Sequence, residues 1–420
     1  MLEQKERLQA LVEEKKDGLL NFVSDLIKIP SENPPCDARE VNAFICDYMN
    51  KVGISYKLDG PTDDRQSIIG EIGSGDGKVF LFNGHSDVVP AGDRNRWDFD
   101  PYCGTITDKE ILGRGTSDMK AGLGAAIFVM GLLSKECSDM PGKVHIHVVP
   151  DEETSGVDGT YWLIEKGYSK DASCVLVAEP TSNDNCEVGQ KGSLSTVIYA
   201  YGTAAHGSLG RYAGDNAIRN IIKVIDKIDS TIGGIEGRYK PEQLEVLKNS
   251  KAIVDLKQQK PGIEDIIDHI TVNPGTITGG TKTNMVADYC EATVDIRVPI
   301  GIKNDEIKEK LYQLVADLGF TEEQIKLEFS WNSDSNYTDE NEEIVQLCVK
   351  NAEAIWGNTV VPAYQWASSD ARYYRQAGLP TIQFGPSNTV GIHSYNETVD
   401  IEDVVNAAKI YIGILCDFFA

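Results

Sequence analysis

The chain has 420 residues, of which 41% are hydrophobic, so it can bury substantial cores, and its length favours two domains. Sixty-five acidic residues against 40 Lys and Arg give a formal net charge of -25, which repels phosphate backbones and anionic lipid surfaces at long range. Nucleic acids and membranes are therefore not expected as partners.

The first residues of the chain alternate charged and apolar side chains at helical spacing, and they lack the uninterrupted apolar core of a signal peptide. No later segment is expected to be long and apolar enough to span a bilayer. The nine cysteines are odd in number and form no CxxC pair, which is typical of free thiols in a reducing compartment. These observations predict a cytoplasmic protein.

Helices and buried strands alternate over the first part of the chain. We predict helices from Gln4 to Lys28 and from Ala38 to Val52, and the prolines of IPSENPP end the first because proline cannot continue a helix. Three apolar runs have the continuity of strands buried on both faces: KVFLFNGHSDVV, KVHIHVVPDEETSG and ASCVLVAEP. A helix from Ala121 to Leu133 separates the first two runs. This order predicts an α/β domain built on a doubly wound sheet.

From about Gly192 the pattern changes to strand, helix, two strands, helix and strand, which is the ferredoxin-like split pattern of an α+β domain. The segment from Gly233 to Asp268 is polar and charged, and we interpret it as a surface excursion. After Asn336 a long amphipathic helix, a short strand and a closing helix indicate that the first domain resumes. The predicted boundaries are 1–191 and 337–420 for the two parts of the first domain and 192–336 for the insertion.

Polar residues follow the predicted buried strands at the ends where open α/β sheets place their sites. Imidazole and carboxylate groups together suit Zn, Co or Mn. Two such metals held about 3.5 to 4 Å apart are a common hydrolytic device, in which a carboxylate and an acidified water span both ions. Five ligands suffice if one of them bridges. The candidate residues are His85, Asp87, Asp118, Glu152, Glu153, Glu179 and His393.

Local spacing suggests how some candidates would act. Asp118 follows the glycine-punctuated stretch LGRGTS and is the candidate for the carboxylate shared by two metals. His85 and Asp87 lie on the same side of an extended segment, so Asp87 can accept the proton of the ring nitrogen turned away from the metal. In DEE, neighbouring acids point in different directions, so one can bind metal while the other serves as general base.

Each motif also has a structural interpretation. HxD often occurs by chance, EE after a strand is usually a solvated turn, and SD before MKAG is by itself a helix N-cap. His145 and His147, at period two on a strand, are expected to be packed or edge residues, and His269 receives no role. The joint placement of the other residues at successive strand ends favours the metal site.

Five motifs in order, NGHSDVVP, GRGTSDMKAG, PDEETSG, AEP and GIHSYNE, resemble the dinuclear zinc family of acetylornithine deacetylase, succinyl-diaminopimelate desuccinylase, aminoacylase and carboxypeptidase G. The resemblance spans nearly the whole chain and implies a zinc-exopeptidase-like catalytic domain with an inserted lid that also dimerises. In relatives the peptide after the bridging aspartate is often cis, which predicts a cis bond after this residue. The implied roles are one metal for His85 and Glu179, the other for Glu153 and His393, bridging for Asp118, general acid and base catalysis for Glu152, and orientation for Asp87.

The resemblance also implies roles for residues of the lid. His206 in GTAAHGS matches a lid histidine that reaches the active site of the partner subunit and stabilises the oxyanion, although a polar residue at a strand end is the structural alternative. Asn284 in GGTKTNMV and Arg297 in VDIRVP match lid positions that grip the substrate carboxylate. For Arg297, an ion pair within the lid is an equal alternative. Weaker signals near the closing motif are Ser369, Asp370 and Arg372.

The position of Glu179 bears on the reaction, because deacylases of this family tend to carry Glu there whereas many peptidases carry Asp. We therefore predict a metal-dependent amidohydrolase that removes an acetyl, succinyl or similar N-acyl group from an amino acid or related small amine. It would use two divalent ions, zinc first and cobalt or manganese as alternatives. A dipeptidase or carboxypeptidase with the same centre is the alternative prediction. A metal-binding relative without turnover is a third, and loss of Glu152 would be its expected mark.

Overall fold

The computed structural model describes residues 4–137 and 139–420, and it divides into two compact units. The first unit contains the described residues up to Val188 together with Thr338–Ala363 and Ser369–Ala420, and the second contains Gly189–Tyr337 and Tyr364–Ser368. These limits lie close to the predicted boundaries after residues 191 and 336. Residues 1–3 of the first predicted segment lie outside the described residues.

The elements below are numbered in chain order over the described residues. The α-helices are α1 (Lys5–Glu14), α2 (Lys16–Ile27), α3 (Arg39–Val52), α4 (Ala121–Glu136), α5 (Trp162–Glu165), α6 (Ala217–Ile232), α7 (Leu244–Gln258), α8 (Asn304–Asp317), α9 (Glu343–Trp356), α10 (Ala371–Gln376) and α11 (Ile401–Phe418). The strands are β1 (Ser55–Asp59), β2 (Ser67–Ile72), β3 (Val79–His85), β4 (Glu110–Leu112), β5 (Lys143–Val149), β6 (Cys174–Val177), β7 (Asn185–Gln190), β8 (Gly192–Tyr201), β9 (Thr271–Gly279), β10 (Tyr289–Val298), β11 (Ile325–Ser333), β12 (Asn336–Tyr337), β13 (Val361–Gln365), β14 (Thr381–Gln383) and β15 (Thr398–Asp400).

The large sheet of the first unit has the order β1-β2-β5-β3-β6-β14-β7. Its centre is parallel, because β5, β3, β6 and β14 run in the same direction. Its margins are antiparallel, with β1 and β2 on one side and β7 on the other. The prediction of an α/β sheet is confirmed, and the sheet is mixed rather than purely parallel. The sequence did not predict β1, because the side chains of this edge strand are exposed or half-buried and form no apolar run.

Helix α4 lies in the core of the first unit, and every residue from Ala121 to Leu133 is buried. A Cβ at Gly122 would lie 2.0 Å from the carbonyl oxygen of Ala178, so only glycine allows the start of α4 to approach the end of β6 this closely. The turn before the helix uses positive φ at Gly113 and Gly115 of the glycine-punctuated stretch. The start of α4 therefore lies directly beside the strand end that precedes Glu179.

The prediction about membrane-spanning segments needs correction. The stretch Thr116–Glu136 is long and apolar enough to cross a membrane by length and composition, although no such segment was expected. Within the protein, 94% of its most apolar window is buried, which is typical of a core helix. All nine cysteines are free, as predicted, and eight of them are buried.

The second unit contains a four-stranded antiparallel sheet in the order β11-β8-β10-β9. With α6 after β8 and α8 after β10, the element order matches the predicted β-α-β-β-α-β pattern. Apolar residues of both helices, including Ile221 and Leu311, form one core with the sheet. The polar excursion from Gly233 to Asp268 contains helix α7, which the sequence did not predict because charged residues occupy most of its faces.

Candidate metal centre

Neighbouring parallel strands bring the predicted ligands of the first unit to one edge of the sheet. His85 ends β3, Glu153 follows β5, and Glu179 follows β6, and these three strands are adjacent in the order β5-β3-β6. Asp118 comes from the loop before α4, and His393 comes from the loop before β15. The parallel arrangement therefore explains why residues far apart in sequence meet at this edge.

The first ligand group consists of His85, Asp118 and Glu179. Its histidine Nε2 lies 2.9 Å from Oδ1 of Asp118 and 3.8 Å from Oε1 of Glu179. The side chains are 1%, 14% and 8% exposed, respectively. This group is thus almost closed to solvent.

The second ligand group consists of Asp118, Glu153 and His393. The Nε2 atom of His393 lies 3.2 Å from Oδ2 of Asp118 and 3.2 Å from Oε2 of Glu153. Asp118 thus faces one group with each of its two oxygens, which is the geometry required of a shared carboxylate. His393 is 48% exposed, so this group lies at the solvent-facing side of the centre.

Asp87 contacts the side of His85 that faces away from the ligand group. The Nδ1 atom of His85 lies 2.9 Å from the backbone oxygen of Asp87 and 3.3 Å from its Oδ1. The other carboxylate oxygen, Oδ2, accepts hydrogen bonds from Asn33 Nδ2 at 2.8 Å and from the backbone N–H of Glu153 at 3.3 Å. With Nδ1 directed at these acceptors, Nε2 is left for a metal, in keeping with the predicted orienting role.

The charges of the centre fit two divalent cations. Burial raises the pKa of the Glu152, Glu153 and Glu179 carboxyls, so ionising them together is unfavourable without a compensating charge. Hydrogen bonds to Asp118 and Glu153 raise the pKa of His393 to about 11. When ionised, the three ligand carboxylates and Glu152 carry four negative charges, which two divalent ions would balance. In each group the ligand atoms lie within 4.8 Å of one another, and nitrogen and oxygen donors of this kind suit zinc.

Glu152 lies next to the ligand Glu153 and is not itself part of either group. Its side chain is half-buried. Among residues 4–137 and 139–420, no group donates a hydrogen bond to its carboxylate. Such a carboxylate is available to exchange a proton with a bound water or substrate.

The three predicted lid residues all belong to the second unit. His206 is exposed, and its Nδ1 lies 2.7 Å from Oγ of Ser208. Asn284 is adjacent to it, because the backbone N–H of Gly207 donates to the Asn284 carbonyl oxygen at 2.7 Å. Arg297 donates from Nε to Asp295 at 2.9 Å and from one terminal nitrogen to Ser193 at 2.6 Å. The contacts of Arg297 therefore fit the ion-pair alternative.

The weaker candidates near the closing motif contact the polypeptide around the site. Arg372 is fully buried, and its terminal nitrogen donates to the carbonyl oxygen of Ser155 at 2.6 Å. Asp370 accepts a hydrogen bond from Thr160 at 2.6 Å, and Ser369 donates to the side chain of a buried glutamine at 2.7 Å. The contacts of Arg372 and Asp370 brace the segment that follows the DEE motif.

Glu397 is a buried acid near the centre that the sequence analysis missed. It is 0% exposed, and its carboxylate accepts hydrogen bonds from the backbone N–H groups of Ser117 and Asp118 and pairs with Arg114. The residue stands at the end of the GIHSYNE motif, where only the histidine had been assigned a role. The acid that closes this motif, four residues after the histidine, was the available signal.

The remaining histidines have structural surroundings, as predicted for two of them. His147 is fully buried and its Nδ1 lies 2.8 Å from the Tyr374 hydroxyl, while Nε2 of His145 lies 2.8 Å from the carboxylate of the partly exposed Glu71. His269 lies beside Asp268 and Asp265 in a third acidic group. The Lys251 ammonium already contacts both of these aspartates, at 2.8 and 3.0 Å, and so supplies the positive charge there.

The peptide bond between Asp118 and Met119 is cis, as the resemblance predicted. Residues 81–417 match the sequence profile of Peptidase family M20/M25/M40. The chain belongs to this family. Like its family, the protein is a hydrolase of C–N bonds that depends on a pair of metal ions, for which the two ligand groups provide the candidate sites.

Relatives in peptidase family M20/M25/M40 match almost the full length of the chain. A probable succinyl-diaminopimelate desuccinylase from Staphylococcus epidermidis is 26% identical over 397 residues, which cover 93% of this chain and 95% of that protein. An N-formyl-4-amino-5-aminomethyl-2-methylpyrimidine deformylase from Halalkalibacterium halodurans is 25% identical over 433 residues, covering 96% and 95%. The structure of the di-peptidase Dug1p from Saccharomyces cerevisiae has a TM-score of 0.81 at 15% identity, covering 100% of this chain and 99% of that chain. This last likeness shows that the fold is shared.

Proposed function

We propose that the protein removes an N-acyl group, such as acetyl or succinyl, from an amino acid or related small amine. The observation that carries the proposal is the sharing of Asp118 between two ligand groups beside an unbonded glutamate, Glu152. This arrangement suits hydrolysis of an amide, because amide cleavage needs both activation of the carbonyl and a proton for the departing amine.

In the proposed reaction, His85 and Glu179 would hold one ion, Glu153 and His393 would hold the other, and Asp118 would be shared by both. Two zinc ions, with cobalt or manganese as alternatives, would polarise the scissile carbonyl and acidify a water molecule. The other steps belong to side chains of the protein. Glu152 takes a proton from the attacking water and delivers it to the leaving amine. Asp87 keeps His85 in the tautomer that presents Nε2 to the metal.

The lid residues complete the proposal. His206 would donate a hydrogen bond to the oxyanion, and the contact of its Nδ1 with Ser208 leaves Nε2 for that purpose. We propose, as the family resemblance implies, that the lid forms a homodimer and that the histidine acts on the active site of the partner subunit. Asn284 and Arg297 would contact the substrate carboxylate, the latter only if its guanidinium partly leaves Asp295.

The preference for an acyl group over a peptide is supported by two observations. The desuccinylase and the deformylase that match this chain over almost its full length are both named for removing an acyl group. Glu179 is the residue that deacylases tend to carry at this position. A dipeptidase or carboxypeptidase is the alternative, in line with the name of the similar di-peptidase structure. The free cysteines support a cytoplasmic location.

A substrate panel tests the proposal. The protein, loaded in turn with zinc, cobalt or manganese, is assayed on N-acetyl, N-succinyl and N-formyl amino acids beside dipeptides and N-blocked peptides with a free carboxyl terminus. We expect the highest kcat/KM on one of the acyl amino acids. Hydrolysis of peptides alone would overturn the preference and leave the peptidase alternative. The Glu152→Gln variant serves as the control for contaminating hydrolases.

A further inference from the structure

The loop that carries His393 is fastened by the residues that follow it. The Tyr395 ring packs against the Trp97 ring, with centroids 6.0 Å apart, and lies 4.1 Å from the Arg96 guanidinium. Asn396 exchanges two hydrogen bonds with Asp98, at 2.7 and 2.8 Å. The exposed ligand therefore depends on this loop for its position rather than on burial of its own ring.

Glu397 connects the same loop to the shared ligand. Its Oε1 accepts hydrogen bonds from the backbone N–H of Ser117 at 2.9 Å and from that of Asp118 at 3.3 Å. Its Oε2 lies 2.5 Å from a terminal nitrogen of Arg114. The two segments also meet through the backbone, where the Gly113 N–H donates to the Glu397 carbonyl oxygen at 3.0 Å. The Glu397 carboxylate thus contacts both ends of the turn that carries Asp118, Arg114 at one end and the Ser117 and Asp118 N–H groups at the other.

The negative charge of Glu397 is balanced by the adjacent guanidinium of Arg114. Arg114 is only 3% exposed, and its guanidinium lies 5.1 Å from the centre of the Trp97 ring. A buried carboxylate without this partner would be strongly destabilising, whereas the paired and hydrogen-bonded form is stable. The arrangement fixes the carboxylate in one orientation, with one oxygen for the arginine and one for the turn.

We propose that Glu397 is a positioning residue of the metal centre. It directs Asp118 so that one oxygen faces each ligand group, and it couples that orientation to the loop that supplies His393. The inference rests on the proposed two-metal function, and it assigns to Glu397 no contact with the metals or the substrate. A purely structural role would stabilise the fold to the same extent with and without metal. A positioning role stabilises the metal complex in addition.

The test compares Glu397→Gln and Glu397→Ala with Asp417→Asn. Asp417 is a matched control, because its side chain is also buried, at 3% exposure, and pairs with Lys5 at 3.0 Å and Lys350 at 2.8 Å, near the C-terminal end of helix α11. Zinc affinity is measured by chelator competition without substrate, the cobalt absorption spectrum reports ligand geometry, and thermal unfolding is followed with and without zinc.

We expect Glu397→Ala to weaken zinc binding by about 100-fold and Glu397→Gln by about 10-fold, the range typical of groups that orient metal ligands. The glutamine retains an oxygen for the turn but turns a donor towards Arg114, which explains its intermediate effect. Both variants should change the cobalt spectrum. Asp417→Asn should lower the unfolding temperature of the protein with and without zinc by the same amount and leave zinc affinity unchanged.

Wild-type zinc affinity and an unaltered cobalt spectrum in Glu397→Gln would overturn the proposal, whatever the change in stability. If Glu397→Ala does not fold, the near-isosteric glutamine variant alone decides the question. Because zinc binding is measured without substrate, the outcome is independent of which amide the protein cleaves. A wild-type protein that binds two zinc ions but hydrolyses no acyl amino acid would refute the proposed function and leave the test of Glu397 intact.

Discussion

Substitution of a shared ligand should have a different effect on metal content from substitution of an unshared one. Asp118 belongs to both groups of three, so Asp118→Asn leaves each group with two ligands and no bridging carboxylate. His393→Ala removes one ligand from the second group and leaves His85, Asp118 and Glu179 intact. We therefore expect two tightly bound zinc ions in the wild type, one in His393→Ala and none in Asp118→Asn.

Metal content is measured by mass spectrometry after equilibration of the apoprotein with buffered zinc and removal of weakly bound ions. Asp268→Asn is the control, since the ammonium of Lys251 already neutralises the third acidic group, and this variant should still bind two ions. Two zinc ions retained by Asp118→Asn would refute the shared-ligand geometry. Loss of both ions from His393→Ala would equally contradict it, because the two groups would then not be separable.

Three further predictions concern catalysis and stability. Glu152→Gln should keep both metals and lose about 10²- to 10⁴-fold in kcat, measured on the best substrate of the panel, and undiminished turnover would exclude Glu152 as the base. His206→Ala should abolish turnover with unchanged metal content, whereas loss of metal would make it a ligand. Burial lowers the pKa of His147 to about 3, while an unfolded histidine titrates near 6.5, so the unfolded chain binds more protons between these values. The free energy of unfolding should then fall by about 2 kcal/mol more between pH 7 and pH 5 in the wild type than in His147→Gln, measured by urea denaturation. Equal pH dependence in both proteins would mean that His147 can take up a proton without unfolding.

The structure brings together the residues that the sequence predicted as ligands, because their positions follow from general rules of the fold. His85 and Glu179 could be found from buried apolar runs that end in polar residues, since parallel strands align these ends at one edge. Glu397 could not be found in this way. Its contact with Asp118 joins segments 279 residues apart, and neither periodicity nor spacing encodes that meeting. Edge strand β1 was not predicted either, because its side chains are exposed or half-buried and form no apolar pattern.

Asp87 and Glu397 support the centre in similar ways from different parts of the chain. Each is a buried carboxylate that contacts a candidate ligand, Asp87 at the ring of His85 and Glu397 at the backbone of Asp118, and each is fixed by donors of its own. In the proposed mechanism this layer would set where the ligands point, and it would serve the hydrolysis of an acyl amide or of a peptide equally well. Selection between these substrates must therefore come from groups that contact the acyl portion or the amine. The identity of Glu179 favours a deacylase only through the family resemblance, so the substrate panel, and not further study of the ligands, separates a deacylase from a peptidase.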